Sequence, residues 1–443
     1  MRYEPFDAAF FTENRAQLAA RLPQGAIAIV HSHDLLTTSA DGSLPFRQSS
    51  DFFYLTGIEQ EESVLIFDPS APRPEDRERL FLRETSDLIR IWEGDRLTRE
   101  QATAQSGVVR VDWTQHFEPA LRRLMRQRKI VFLNANEHPR SGAELISRDD
   151  RFRRRLQDWH PAHRYERLAP LLHAQREIKS APELAATREA CRITTDGFRR
   201  ILGFVRPGVA EFEIEAEFLH EFLRQRSRGF AYTPIIASGA NACVLHYIEN
   251  NAICQDGDLL LLDVAAEYAR YNADLTRTIP VNGRFTPRQR QVYDAVLRVM
   301  RLCIHDLLRP GIDLRKEYQP AVGRAMEAEL IGLGLLDPAK VAEERAKDGT
   351  PDEVKEEKRL YRKYFMHGTS HSLGLDVHDV HRRDRLVKAG MVFTVEPGIY
   401  IREEGIGVRL ETEVLVGAQW NEDLMPDAPI EPDEIEALMN TGR

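Results

Sequence analysis

The sequence predicts an α+β protein of two domains, with a smaller α/β domain over residues 1–174 and a larger domain over residues 175–443. A chain of 443 residues is too long for a single hydrophobic core of ordinary size. In the first domain, short apolar runs alternate with helix-like segments, which is typical of an α/β fold. In the second, the order helix, RPG followed by Val or Ile, helix and then strands occurs twice, which predicts a duplicated ααβ unit.

Four short apolar runs bounded by polar residues or proline predict the strands of the first domain. They are Ala26–His31, Val64–Phe67, residues 80–82 and Ile130–Leu133. Between the last two, residues 117–126 space their apolar side chains as an amphipathic helix does.

Two further stretches of the first domain are distinctive. Residues 46–57, FRQSSDFFYLTG, predict a buried strand with a polar lead-in, because aromatic residues follow an Arg and an Asp. Residues 86–96 are predicted to be a loop, in which Trp92 lies beside acids and a glycine. A tryptophan in such a loop indicates an interface if it is exposed, and partial burial is the alternative.

The second domain begins near residues 171–180 and carries the repeat. Its first half has helix-like runs at 182–204 and 211–226 on either side of the first RPG. Its second half starts with the N-cap and N1 pair Thr286 and Pro287, and a further helix-like run extends to Gly332. The charged residues 338–363 predict a solvated helical insertion.

Composition excludes several classes of protein. A net charge of -9 argues against a nucleic-acid binder, and the basic runs at 122–129 and 151–155 are interpreted as solvated helix faces. The sequence has no apolar run of membrane-spanning length, and its start lacks signal-peptide features, so a cytoplasmic protein is expected. The cysteines lack CxxC spacing and are predicted to be small buried residues: Cys191, Cys243, Cys254 and Cys303.

The first candidate site lies in residues 259–280, which form two apolar runs around a polar turn. As a hairpin centred between Tyr268 and Ala269, they place Asp263 directly opposite Asp274 on one face. Two like charges about 5 Å apart repel, so a shared proton or a bound cation is needed to offset them. A solvated hairpin with two unrelated aspartates is the alternative that these residues leave open.

Two downstream stretches add further candidate ligands. Residues 365–379 carry His367, His371 and His378 in a glycine-containing, loop-like segment, and such a cluster indicates a site. Residues 391–398 and 407–416 form a second hairpin, which places Glu396 opposite Glu411. Glu413 would face the same way, and alternation alone does not choose between it and Glu411.

Four carboxylates and an imidazole in one pocket require cations. Oxygen-rich coordination with one imidazole fits Mn, Co, Fe or Zn, and four carboxylates suffice to hold two ions about 3.5 to 4 Å apart. That arrangement suits the hydrolysis of an unactivated amide. The sequence contains no phosphate-binding glycine loop, GxSxG or HExxH motif that would favour another mechanism.

These motifs resemble the pita-bread metallopeptidases, and among them the Xaa-Pro aminopeptidases (aminopeptidase P). The similar segments are YNADLTRT, HGTSHSLGLDVHD, TVEPG and GVRLE, while FRQSSDFFYLTG resembles the N-terminal domain of the family. The resemblance implies a C-terminal pita-bread catalytic domain of duplicated ααβ units, a creatinase/aminopeptidase P-like N-terminal domain, and release of the first residue from peptides with proline second.

The resemblance also implies the roles of individual residues. Asp263 would bind one of two divalent ions, manganese being usual, while His371 and Glu396 would bind the other. Asp274 and Glu411 would bridge both ions, and Glu396 would also act as general base.

Further residues are assigned by the same resemblance. His246 and His378 would hydrogen-bond the substrate and the developing oxyanion, and His367 and Arg409 would line the proline side of the pocket. For His246 alone, a core histidine is the alternative. Relatives are often dimers or tetramers, in which Trp92 would shape access to the site of a neighbouring subunit.

Three functional hypotheses follow. The first is an Xaa-Pro aminopeptidase, the second a prolidase restricted to Xaa-Pro dipeptides, and the third a non-catalytic pita-bread interaction module. The presence of all five ligands disfavours the third, and it likewise disfavours a metal-free creatinase-type enzyme. The short turn at 399–406, His381 after the HD pair and the charged insertion depart from many relatives and affect the pocket rim and subunit contacts.

Overall fold

The computed structural model describes residues 3–138, 146–350, 354–382 and 385–441. It divides into two compact units, one from Glu4 to Arg176 and one from Glu177 onward, which also includes Tyr3. This division lies two residues after the predicted domain boundary, and the assignment of 1–174 and 175–443 as separate domains stays a prediction.

The N-terminal unit is built on a six-stranded mixed sheet. Its strand order is β4-β3-β2-β1-β5-β6, in which β2 runs antiparallel to its neighbours β1 and β3 and the other neighbouring pairs are parallel. All four predicted strands and the predicted helix are present. The elements are α1 Ala8–Ala19, β1 Ala26–His31, α2 Ser50–Thr56, β2 Val64–Phe67, β3 Glu78–Leu82, α3 Asp87–Glu93, α4 Arg99–Ser106, β4 Arg110–Trp113, α5 Phe117–Gln127, β5 Ile130–Leu133, α6 Arg148–Trp159, β6 Arg164–Arg167 and α7 Ala169–Arg176.

Two local predictions in this unit are wrong. The stretch 46–57 contains helix α2, not a strand, because Ser49 caps its first turn and Gly57 ends it with φ +68°. The stretch 86–96 contains helix α3, not a loop, because Ser86 accepts a hydrogen bond from Ile89 N at 3.2 Å and caps it. In both cases capping residues outweigh the aromatic and acidic composition on which the predictions relied.

The C-terminal unit repeats a helix pair followed by strands, as predicted. Helices α8 and α9 precede the first hairpin, and α10 and α11 precede the second. The elements are α8 Ala181–Phe204, α9 Glu211–Arg224, β7 Ile235–Ser238, β8 Leu259–Asp263, β9 Glu267–Tyr268, β10 Tyr271–Asn272, β11 Thr276–Pro280, α10 Pro287–Leu302, α11 Gln319–Gly332, α12 Pro338–Arg345, β12 Val392–Val395, β13 Gly398–Ile401, β14 Ile406–Arg409, β15 Thr412–Leu415, β16 Glu422–Asp423 and α13 Pro432–Asn440.

One continuous core joins both halves of this unit. Residues from α8, α9, α10 and α11 pack in the same apolar cluster as the strands of both hairpins. The strands form two three-stranded sheets, β11-β8-β7 and β12-β15-β16, and two short ladders, β9-β10 and β13-β14. All four cysteines are buried, as predicted. The core therefore holds the two hairpins that carry the candidate acids.

The charged insertion is helical where the structure describes it. Helix α12 is followed by short 3-10 turns at Glu356–Lys358 and Leu360–Lys363, and residues 351–353 lie outside the described residues. It is not wholly solvated, because Val341 and Tyr361 are buried. Within the described residues, no helix is both long and apolar enough to cross a membrane.

Candidate metal centre

The first hairpin brings Asp263 and Asp274 to one face, but not directly opposite each other. Asp263 pairs with Thr276, and the turn residues Ala269 and Arg270 have φ +51° and +74°. The turn is therefore centred one residue later than predicted, and the predicted register is wrong. Asp274 precedes Thr276 by two residues, so its side chain still lies on the face of Asp263, at a diagonal position.

The second hairpin has the predicted register. Val395 pairs with Thr412 and Gly398 pairs with Arg409, and the same register between them places Glu396 across from Glu411.

Glu413, the alternative to Glu411, has another partner. It pairs with Thr394, and its fully buried carboxylate accepts a hydrogen bond from the backbone N-H of Asp274. Glu413 therefore supports the strand that carries Asp274, while Glu411 takes the position among the acids.

The candidate ligands converge at this point. Donor atoms of Asp274, His371 and Glu411 all lie within 4.8 Å of one another. His371 Nε2 is 3.4 Å from Asp274 Oδ2 and 3.7 Å from Glu396 Oε1. Asp263 joins them electrostatically, since its charge raises the pKa values of Glu396 and Glu411.

Burial and repulsion oppose full ionisation of these acids. Burial, reinforced by Asp274 and Asp263, raises the pKa of Glu396 to about 7, although His371 and Arg409 oppose this. Burial and the neighbouring carboxylates raise the pKa of Glu411 well above its ordinary value. A buried or half-buried set of four carboxylates and one imidazole is a donor set for divalent cations, which would remove the repulsion. The residues present therefore fit the implied metal site.

The imidazole of His371 is held so that one nitrogen faces the acids. Its Nδ1 donates to the carbonyl oxygen of Ser372 at 3.1 Å, so that Nε2 faces the acids. Thr394 on β12 anchors the backbone of His371 through two hydrogen bonds. Burial opposes a charge on His371, but Asp274 and Glu396 outweigh it and raise its pKa to about 9.

A second set of hydrogen bonds holds residues 374–379, the C-terminal half of the histidine loop (residues 365–379). Asn272 Nδ2 donates to the carbonyl oxygens of Gly374 and Leu375, both at 3.0 Å. The His378 ring stacks on His371 with centroids 4.0 Å apart. No pattern in the sequence singles out Asn272, which lies two residues before Asp274.

A buried ion pair closes the same loop. Lys179 Nζ is 2.6 Å from Asp379 Oδ2, and their side chains are 2% and 1% exposed. A Cβ on Gly374 would overlap the Asp379 carboxylate and lie 2.7 Å from Lys179 Nζ, so the pair requires glycine there. No sequence pattern singles out Lys179 either, because 200 positions separate it from its partner.

Asp263 is held from both sides. Tyr232 OH donates to its Oδ1 and Arg409 Nη2 to its Oδ2, each at 2.6 Å. Burial raises the pKa of Asp263, and Arg409 opposes that rise. Arg409, predicted to line the proline side, therefore contacts a candidate ligand directly.

A hydrogen-bonded chain continues from Arg409 to His367. Arg409 Nη1 donates to Tyr400 OH at 2.9 Å, and Tyr400 OH lies 2.8 Å from His367 Nε2. His367 Nδ1 donates to the carbonyl oxygen of Gly368 at 2.7 Å, so Nε2 accepts from Tyr400. Burial, followed by the charge of Arg409, lowers the pKa of His367 to about 3, which keeps this ring neutral.

The remaining predicted residues differ in placement. His246 and His378 are exposed, and His246 is near enough to His367 to influence its pKa. Trp92 belongs to the N-terminal unit, where it is 81% exposed on α3. The roles assigned to all the site residues stay predictions.

Comparisons with known proteins match both parts of the chain. The model of metallopeptidase family M24 matches residues 185–418, and the model of the aminopeptidase P N-terminal domain matches residues 11–132. The Xaa-Pro aminopeptidase of Escherichia coli K12 is 36% identical with 98% of each chain covered, and that of Haemophilus influenzae is 35% identical with 97% of each covered.

Solved structures are similar over nearly the whole chain. Escherichia coli aminopeptidase P with the inhibitor Pro-Leu superposes with a TM-score of 0.84 at 34% identity, covering 99% of each chain. Pseudomonas aeruginosa aminopeptidase PepP superposes with a TM-score of 0.87 at 32% identity and the same coverage. A zinc-substituted form of the Escherichia coli protein in complex with product has a TM-score of 0.85.

Proposed function

We propose, since this chain belongs to metallopeptidase family M24, that it is a metal-dependent hydrolase that releases the first residue from peptides with proline second. The convergence of Asp274, His371 and Glu411, with Asp263 and Glu396 beside them, is the observation that carries this proposal. The near full-length similarity to Xaa-Pro aminopeptidases supports the same substrate class.

We infer that these five residues hold two divalent ions, and that manganese is the physiological metal. Bound ions of this kind supply a nucleophile near neutral pH and stabilise the charge of a tetrahedral transition state. The oxygen-rich donor set with one imidazole supports Mn, while Zn, Co and Fe fit the same donors. Manganese, zinc, cobalt and iron restored separately to chelated protein would rank the metals by activity.

The protein's own side chains have separate roles in proton transfer and in binding the substrate carbonyl. Glu396 lies at the edge of the cluster, where burial raises its pKa to about 7, so it is suited to take a proton from the attacking water and pass it to the leaving nitrogen. His246 and His378 donate to the substrate carbonyl oxygen as charge develops there.

The proline side of the substrate must be bound without backbone hydrogen bonds. An Xaa-Pro amide has no N-H, and its ring fixes φ, so backbone hydrogen bonding cannot hold it. The neutral His367 ring and Arg409, joined through Tyr400, provide an ordered wall for the pyrrolidine ring. This explains a pocket selective for proline at the second position.

Glu396→Gln tests the proposal. It keeps the size of the side chain but removes the base, so we expect kcat on an Xaa-Pro-Yaa peptide to fall by at least about a hundredfold. Binding of manganese to this variant, followed by calorimetry, separates loss of the base from loss of the metal. A variant with undiminished kcat would contradict the assignment of Glu396.

The choice between aminopeptidase and prolidase is a question of substrate length. The match to the aminopeptidase P N-terminal domain favours peptides of three or more residues. We expect kcat/KM for Xaa-Pro-Yaa to exceed that for the dipeptide Xaa-Pro. A preference for the dipeptide would favour prolidase, and metal binding without hydrolysis of either substrate would favour an interaction module.

We also propose a dimer or tetramer in which Trp92 shapes access to the site of a neighbouring copy. Its support is an exposed apolar face on α3, where Leu88, Ile91 and Trp92 are 66%, 78% and 81% exposed. Trp92→Ala is expected to change the assembly state or the peptide-length preference. If both are unchanged, this role is wrong. A cytoplasmic location stays a prediction.

A further inference from the structure

The N-terminal unit contains a cavity of about 470 Å³ that the proposed reaction does not use. Three arginines of helix α6, namely Arg148, Arg151 and Arg155, line it together with Glu118 and His31. The sequence interpretation of this basic run as a solvated helix face accounts for only part of it. Which of these charges is already compensated determines what the cavity can bind.

Two of the three arginines have carboxylate partners. Arg151 Nη2 is 2.6 Å from Asp34 Oδ2, and Arg155 Nη2 is 2.8 Å from Glu118 Oε1. Both pairs are partly exposed, so they contribute little to stability, but they neutralise these two guanidinium groups. Neither arginine is left with an uncompensated charge for a ligand.

The imidazole in the cavity wall is paired as well. His31 is 3% exposed, and its Nδ1 lies 2.8 Å from Asp149 Oδ1. Asp149 follows Arg148 directly in sequence on α6. Asp149 is therefore already engaged by His31.

Arg148 is the exception. Among the described residues, no carboxylate oxygen lies within 4.0 Å of its guanidinium, and its buried Nη1 has no hydrogen-bond partner. Burial is the main influence on its pKa and lowers it, so the charge is partly removed from water. Asp34, Glu62 and Asp149 oppose this shift, but none of them forms an ion pair with Arg148, and Asp34 and Asp149 already pair with Arg151 and His31. A half-buried cation without a partner is costly unless an anion reaches it.

Apart from Thr114, the rest of the cavity wall is apolar. Val64, Phe117 and Phe152 line it, and all three belong to the core cluster that covers one face of the sheet. A ligand that fills the cavity would bury apolar surface against these rings at about 25 cal/mol per Å². Within the described part of the chain, the cavity thus combines one guanidinium that has no ion-pair partner with aromatic and aliphatic side chains.

We propose that this cavity binds an organic carboxylate, a monoanion with a compact aromatic or branched body, and that Arg148 pairs with its carboxylate. The fork of a guanidinium matches the two oxygens of a carboxylate. Inorganic phosphate fits less well, because it has no apolar body and carries more charge than the single uncompensated cation offers.

Benzoate is a suitable probe, with benzamide as its neutral counterpart of the same shape. Calorimetry on the full-length, metal-loaded protein is expected to show benzoate binding, and Arg148→Met is expected to weaken it by about tenfold or more, as befits the loss of a charge-assisted hydrogen bond. Arg148→Lys, which keeps the charge but not the fork, should lose less.

Arg153→Met is the matched control. Arg153 lies on the same helix, is 41% exposed and pairs with Asp150 at 2.7 Å, but it does not line the cavity. Its substitution should leave benzoate binding unchanged.

Three binding results would overturn the proposal. They are benzamide binding as tightly as benzoate, benzoate binding that survives Arg148→Met, and inorganic phosphate binding in preference to benzoate. Benzoate binding that survives Arg148→Met would also indicate that benzoate binds at the metal centre. Thermal unfolding of Arg148→Met distinguishes a ligand-binding arginine from a structural one. Removal of a cation that has no ion-pair partner should not lower the unfolding temperature. A marked drop would count against the proposal.

Discussion

Replacing Asn272 with alanine removes one of two side-chain interactions that hold residues 374–379 of the histidine loop, the other being the Lys179–Asp379 pair. Asn272 is fully buried and donates to the carbonyl oxygens of Gly374 and Leu375. Gly374 O keeps a second bond, from the backbone N-H of residue 272, whereas Leu375 O loses the partner that Asn272 supplied. Two buried hydrogen bonds of about 1 kcal/mol each, plus a desolvated carbonyl, give a loss of about 2 to 3 kcal/mol in the free energy of unfolding.

The effect on catalysis should be specific to His378. The half of the loop that carries His371 is anchored to β12 through Thr394, so metal affinity should not change. His378 lies in the half that Asn272 holds, so its ring should lose its fixed position against His371. We expect kcat on an Xaa-Pro-Yaa peptide to fall about tenfold with KM nearly unchanged, since misplaced catalytic groups cost up to about a hundredfold.

Asn421→Ala provides a matched control. Asn421 Nδ2 also donates to two backbone carbonyls, those of Ile304 and Leu308, both at 2.7 Å. It should therefore cost similar stability and leave kcat unchanged. Hydrogen exchange of peptide 374–379 in the metal-free protein should accelerate in Asn272→Ala only.

A double substitution decides whether Asn272 acts through His378. If it does, Asn272→Ala should add little to the loss in kcat already caused by His378→Ala. Fully additive losses, or unchanged hydrogen exchange in the loop, would refute this reasoning.

Three further predictions concern charge. Glu411→Gln should raise the stability of the metal-free protein, because it removes a buried acid that its neighbours repel, and should weaken manganese binding more than about a hundredfold, which calorimetry and thermal unfolding in chelator would show. The unfolding temperature in chelator should fall as the pH rises from about 5 to 9. The folded protein holds the protons of Glu396 and His371 more tightly than the unfolded chain does, with pKa values of about 7 and 9, so stability is lost as the pH rises through those values. A flat or rising profile would contradict this prediction. Lys179→Met should cost about 3 to 5 kcal/mol in denaturant unfolding because it removes the cation from buried Asp379, and adding Asp379→Asn should restore part of that loss.

Much of the fold follows from local patterns in the sequence. The helix pairs, the four N-terminal strands and the candidate acids are evident from spacing, caps and apolar runs. The register of the glutamate hairpin was also predictable, because Arg402, Glu403, Glu404 and Gly405 place a short turn at its centre. Such features depend on contacts between neighbours in sequence, which a single chain displays directly.

Local sequence patterns fail to predict the register of the aspartate hairpin, residues 259–280. Its turn uses positive φ at Ala269 and Arg270, residues that rarely adopt it, so the sequence carries no glycine or asparagine signal for the register. The buried carboxylate of Glu267 accepts a hydrogen bond from the backbone N-H of Arg270 and helps to hold this conformation. Tertiary packing, not propensity, decided the register there.

The sequence alone determined which acids and histidines were available and predicted which of them belonged to one site. Only the tertiary structure revealed what holds them: the contacts of Asn272 and Lys179, and the hydrogen-bonded chain from Arg409 through Tyr400 to His367. These contacts join residues that are often more than a hundred positions apart, and their energies depend on burial and partner geometry. Neither quantity exists until the chain has folded.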